Sequence, residues 1–98
     1  MTKYKYNVEY SNSFKKNLKK IIKQGKDIDK MLDIIDKLAF KEPLEIKHKD
    51  HNLVNDKHFE DCRECHIEPD WLLIYKYIDE KLILLLMKTG SHSELFKK

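Results

Sequence analysis

Five histidines fall between residues 48 and 92: His48, His51, His58, His66 and His92. Three stand beside breaks in the pattern. His51 lies in a stretch of weak periodicity, His66 just before Glu68-Pro69-Asp70, and His92 just past Gly90. Pro69 lacks an N–H and fixes its own φ, so it fits the corner between two strands rather than the inside of one. That corner puts His66, Asp70 and Trp71 near one end of a sheet. In an antiparallel meander the end of the third strand can meet the start of the second, so His66, Asp70 and His92 could share a pocket. The bland reading is three ordinary surface histidines.

Imidazoles beside a carboxylate suit proton transfer near neutral pH, where His changes charge. With Lys and aromatics nearby, and neither a Gly-rich phosphate loop nor a zinc motif, the set suits RNA cleavage by its own 2′-hydroxyl. A base takes the 2′-hydroxyl proton, an acid protonates the departing 5′-oxygen, and cations hold the extra charge. Each positioned acid or base contributes roughly 10²–10⁴-fold.

Cys62-Arg63-Glu64-Cys65-His66 matches the C-x-x-C-H haem-attachment pattern. The segment reads as a strand, however, and alternation then sends Cys62 and His66 to one face and Cys65 to the other. The two thiols cannot reach one haem or one zinc ion, and there is no second cysteine pair. Two small thiols in a strand remain, and no metal site or cofactor is expected. Arg63, the only Arg, reads as a structural ion pair more readily than as a phosphate contact. Trp71 either stacks on a base or caps the core.

Ninety-eight residues make one domain, 1–98. Residues 1–26 hold eight Lys and a single acid, Glu9, for a balance of +7, which leaves −4 for the rest of a chain whose net charge is +3. A basic segment on a near-neutral protein points to a polyanion, or else to a solvated helix face. With neither an apolar run long enough to span a membrane nor a signal-peptide core, the chain reads as cytoplasmic.

The elements follow from periodicity. Tyr4, Tyr6, Val8 and Tyr10 alternate with polar residues, a strand with one buried face. Ser11 to Ser13 offer N-caps, and Phe14, Leu18, Ile21 and Ile22 stripe a helix ended by Gly25. Lys15, Lys16, Lys19, Lys20 and Lys23 cover its other faces. Asp27 caps a second helix with the stripe Ile28, Met31, Leu32, Ile35, Leu38 and Ala39, closed by Pro43. Residues 43–57 read as a long loop. Strands are expected over about 58–67, 71–78 and 81–88, with a tight hairpin at Asp79-Glu80 and a break at Thr89-Gly90. The class is α+β, in the order β-α-α-β-β-β: a largely antiparallel four-stranded sheet with a two-helix hairpin on one face.

KDHNL (49–53), RECHIEPDWLLIY (63–75) and KTGSHSELF (88–96), behind the β-α-α start, resemble the YafQ branch of the RelE-type toxins of bacterial toxin–antitoxin pairs. The resemblance implies a ribosome-dependent endoribonuclease that cuts mRNA in the ribosomal A site. Its implied partners are a cognate antitoxin, mRNA and ribosomal RNA, with DNA reached only through the antitoxin complex. The family's catalytic set falls on His51, His66, Asp70 and His92. His92 would be the general acid, Asp70 or His51 the base, and His66 would steady the phosphate. Lys49, Trp71, Lys88 and Phe96 are candidate substrate contacts, and the Lys-rich helix a candidate contact to ribosomal RNA. Family members often carry Arg where this chain has Lys88, which offers a point charge without a fork. The other class of reading is a catalytically weak member acting as an RNA- or protein-binding module.

Overall fold

Ser11 joins the first strand to the first helix. Its hydroxyl oxygen accepts the Phe14 N–H at 3.0 Å, filling one open amide of the helix start, and its O–H donates to the Met87 carbonyl at 2.6 Å. The structure, a computed structural model, describes residues 5–54 and 59–96. Strand β1 (Asn7–Tyr10) leads into helix α1 (Asn12–Lys23), and Asp27 caps helix α2 (Ile28–Ala39). Gly25 turns the chain between them at a φ of +75°, a region costly for other residues. Then come β2 (His51–Asn52), β3 (Arg63–Glu68), β4 (Trp71–Ile78), β5 (Ile83–Gly90) and the one-turn helix α3 (His92–Leu95).

The strands lie in the order β1-β5-β4-β3-β2, with β1 parallel to β5 and every other pair antiparallel. The α+β class and the order of the main elements hold. Among the described residues the sheet has five strands rather than four, because two residues of the expected 43–57 loop pair with β3. The loop also holds a 3₁₀ turn at Ile46–His48. The second expected strand, over about 58–67, starts later, at Arg63. Before it, the Cys62 N–H bonds back to the Phe59 carbonyl, and Asp61 takes a φ of +59°, so this stretch is a turn. The Asp79-Glu80 hairpin is likewise a 3₁₀ turn, Asp79–Lys81, followed by left-handed Leu82 at φ +51°. Strand β5 runs through Gly90 instead of breaking at Thr89. Tyr4 and His58 lie outside the described residues.

Alternation along the strands sets the two faces. Cys65, Ile67, Trp71, Leu73, Tyr75, Leu84 and Leu86 form one core with Phe14 and Ile21 of α1 and Met31, Ile34, Ile35, Leu38 and Ala39 of α2. Both long helices thus cover one face. Leu32, expected on the buried stripe of α2, is half exposed, and Ile34 takes that place. On the opposite face, Phe59, Cys62 and Ile74 form a small cluster with Leu53, Met87, Leu95 and Phe96. Among the described residues no long helix covers this face, so polar groups can stand there in reach of a ligand.

Candidate active site

Strand register assembles the candidate site on the face away from the long helices. His51 pairs with Glu64, Glu64 with Ile74 and Ile74 with Lys88, so these four share one row and one face. In the next row His66 pairs with Leu72, and Leu72 with Gly90. Strands about 4.8 Å apart put the Lys88 backbone about 10 Å from that of Glu64.

Two histidines meet over one carboxylate. His51 Nε2 lies 3.5 Å from Glu64 Oε1, and His66 Nε2 lies 3.6 Å from the same oxygen. The other ring nitrogens face carbonyls: His51 Nδ1 is 2.5 Å from the Lys49 oxygen, and His66 Nδ1 is 3.1 Å from that of Pro69. A carbonyl only accepts, so both rings hold a proton on Nδ1 and turn Nε2 toward Glu64. Glu64 is buried, with 6% of its surface exposed. A carboxylate taken out of water needs polar partners, and both rings stand within 3.6 Å of its Oε1. Sequence reasoning passed over Glu64. The available signal was its i, i+2 spacing from His66, which in a strand puts acid and imidazole on one face.

Asp70 and His92 form the second group. Asp70 stands in the β3–β4 turn, and its Oδ1 accepts the backbone N–H of His92 at 3.1 Å. His92 opens α3, whose first turn is closed reciprocally. Ser91 Oγ accepts the Glu94 N–H at 3.2 Å, while Glu94 Oε1 accepts the Ser91 N–H at 2.8 Å. Lys20 of α1 reaches Glu94 Oε2 at 2.5 Å. Lys20 first, then the Ser91 N–H, hold the Glu94 carboxyl down to about 2. A lowered folded value means that this strap is intact above the usual Glu range and is lost as pH falls through about 2. Gly90 leaves room for the turn, since a Cβ there would stand 3.1 Å from Glu94 Oε1. The His92 ring remains exposed, 5.0 Å from the Phe96 ring, which meets Phe59 edge-on at 6.0 Å.

The remaining sequence candidates are placed differently from one another. Lys49 is exposed, takes a left-handed φ of 47°, and serves His51 through its carbonyl. Lys88 is half-buried in the His51–Glu64 row. Trp71, named as a substrate contact, is fully buried against the helices and offers no ring face to a base. Lys20 is committed to Glu94, whereas Lys15, Lys16, Lys19 and Lys23 are exposed and make no ion pair among the described residues. Arg63 is a structural ion pair, with Asp50 at 3.3 Å. Cys62 and Cys65 are buried on opposite faces of the sheet. Among the described residues, no group of three or more His, Cys, Asp or Glu is placed to hold one metal ion, and no helix is long and apolar enough to cross a membrane. A groove of about 970 Å³ runs beside the β3–β4 turn; His66 and Asp70 line it, while His51 and His92 do not.

Comparison with known proteins gives a consistent result. The model of a family described as the bacterial toxin of type II toxin-antitoxin system, YafQ, matches residues 6–97. The mRNA interferase toxin YafQ of Escherichia coli strain B / BL21-DE3 is 38% identical over 90 residues, covering 91% of this chain and 94% of that protein. Among solved structures, a metal-bound toxin from Helicobacter pylori matches with a TM-score of 0.86 and 41% identity, over 93% of this chain and 99% of that one. The E. coli DinJ-YafQ toxin-antitoxin complex contains a match with a TM-score of 0.82 and 35% identity, over 94% of this chain and 98% of that one.

Proposed function

This chain belongs to the YafQ family of bacterial type II toxins, and we infer from that and from the site that it is an mRNA-cleaving endoribonuclease neutralised by a cognate antitoxin. The observation that supports the chemistry best is the Glu64-linked pair of His51 and His66 on the open face, with His92 held by Asp70 at the same end of the sheet. The 2′-oxygen attacks the adjacent phosphorus and gives its proton to His51 Nε2. The phosphorus–5′-oxygen bond breaks, and His92 delivers a proton to the departing oxygen. A 2′,3′-cyclic phosphate and a 5′-hydroxyl result. The imidazolium formed at His51 carries its new proton on the nitrogen that faces Glu64 Oε1, so the carboxylate offsets the charge that forms. His66 steadies the phosphate, Lys49 and Lys88 offset its charge, and Phe96 stands beside His92 where a base can rest.

Within this reading Asp70 is a positioning residue and His51 the base, because Asp70 Oδ1 is engaged with the His92 N–H. Asp70→Asn keeps an acceptor oxygen there and should retain most activity. Asp70→Ala frees the start of α3 and should slow cleavage by roughly tenfold or more. Equal inactivation by the two, measured in single-turnover cleavage, would restore Asp70 as the base. Glu64→Gln keeps the volume and removes the charge that faces His51, and a loss of about 10²-fold is expected in the same assay. An unchanged rate would remove Glu64 from the mechanism.

The toxin acts on mRNA held by the ribosome, and the exposed Lys15, Lys16, Lys19 and Lys23 are the proposed contact to ribosomal RNA. Like charges four apart, such as Lys15 and Lys19, cost a helix a few tenths of a kcal/mol, and a polyanion removes that cost. Changing Lys15, Lys16 and Lys19 to Gln should weaken ribosome binding and reduce the slope of its salt dependence by about 3, without moving cleavage sites. Unchanged affinity at low and high salt would make the cluster a solvated face. The reading as a whole is tested by mapping mRNA 5′ ends in translating extracts with the chain alone and with its antitoxin. New ends that vanish with antitoxin are expected, and their absence with the chain alone would overturn it.

A further inference from the structure

Strand β2 is two residues long, lies at a sheet edge and pairs through only His51–Glu64 and Asn52–Arg63. A ladder this short specifies register weakly, and a slip of one residue would turn the His51 ring to the other face. Side chains must therefore hold it, and they are found on the face opposite the imidazole. Arg63 Nη1 donates to Asn52 Oδ1 at 2.6 Å, Arg63 Nη2 stands 3.3 Å from Asp50 Oδ1, and Arg63 Nε donates to the Tyr75 hydroxyl at 3.2 Å. That hydroxyl in turn donates to Asp50 Oδ1. Burial first, then the Asp50 carboxylate, push the Tyr75 phenol well above its usual range, so it keeps the proton it donates. Tyr75 is fully buried, which anchors the cluster to the core.

We propose that Arg63 is a positioning residue for cleavage: by gripping Asp50 and Asn52, the two neighbours of His51, it sets the register of β2 and aims His51 at Glu64. The proposal rests on the reading of His51 as the base. It also accounts for the one Arg in a chain with 20 basic residues. Three oxygens are met by one planar fork, and the point charge of a lysine cannot meet all three.

The test combines kinetics and NMR on the full chain. Arg63→Lys should lower kcat on ribosome-bound mRNA by about 10²-fold with KM changed by no more than about threefold, matching His51→Ala. In the double variant Arg63→Lys/His51→Ala the losses should not add, because both act through one side chain. Asn52→Ala removes one arm from an exposed residue, so the fold and antitoxin binding should persist while kcat falls by about three- to tenfold. In ¹H–¹⁵N spectra of the wild type, the His51 Nδ1–H bonded to Lys49 should be seen, and it should be lost or shifted in Arg63→Lys. Additive losses, or Arg63→Lys and Asn52→Ala proteins that keep both kcat and the His51 signal, would overturn the proposal. If His51→Ala cleaves normally while the His51 signal still depends on Arg63, the clamp stands and the base assignment fails.

Discussion

His92→Ala is expected to slow single-turnover mRNA cleavage by about 10²–10⁴-fold and to abolish growth arrest, with the melting temperature and antitoxin binding unchanged. The separation of activity from stability follows from how α3 is held. Asp70 accepts the main-chain N–H of residue 92, which alanine retains. Ser91 and Glu94 close the first turn, and Lys20 ties Glu94 to α1. The imidazole itself is exposed, with a tilted contact to Phe96. Deleting it therefore removes a proton donor and little packing. The acid role has its own signature. An RNA whose 5′-bridging oxygen is replaced by sulfur leaves without protonation, so His92→Ala should cleave it nearly as fast as the wild type does. A variant that stays fully toxic, or one slowed equally on both substrates, would remove His92 as the general acid.

The elements with strong local signals were legible from sequence. Ser11 and Asp27 cap the helices as their types suggest, Gly25 turns the chain, and alternation puts Cys65 and Cys62 on opposite faces. What escaped depends on pairing across distance. β2 has two residues, too few to show any period, and exists because β3 and Arg63 receive it. Nothing local in the sequence says that two histidines, one of them thirteen positions upstream, will converge on Glu64. Asp50 falls within the expected loop, yet it is the acceptor for a buried tyrosine and the only arginine. In each case the missing information was register, which short segments do not encode by themselves.

Trp71 is the case where the chemistry of a residue type and its placement diverge, and its substitution should have the largest effect on stability. Trp71→Ala is expected to cost about 3–5 kcal/mol, a large part of the roughly 5–15 kcal/mol that holds a domain together. The ring is fully buried, and its Nε1–H donates to Thr89 Oγ1 at 3.0 Å. The Thr89 O–H donates in turn to the Leu72 carbonyl at 2.8 Å, and its N–H donates to Asn17 Oδ1 of α1 at 3.1 Å. The indole therefore fills the core and supports the β4–β5 end that leads into Gly90 and α3. A base-stacking tryptophan would behave in the opposite way, losing RNA affinity with the fold intact. Trp71→Phe separates the two. It keeps most of the apolar volume and loses the bond to Thr89, so the expected cost is about 1–3 kcal/mol with near-normal cleavage per folded molecule. Since Trp71 is the only tryptophan, urea unfolding should be followed by circular dichroism rather than fluorescence. A Phe variant as stable as the wild type but slow on mRNA would return Trp71 to the substrate site.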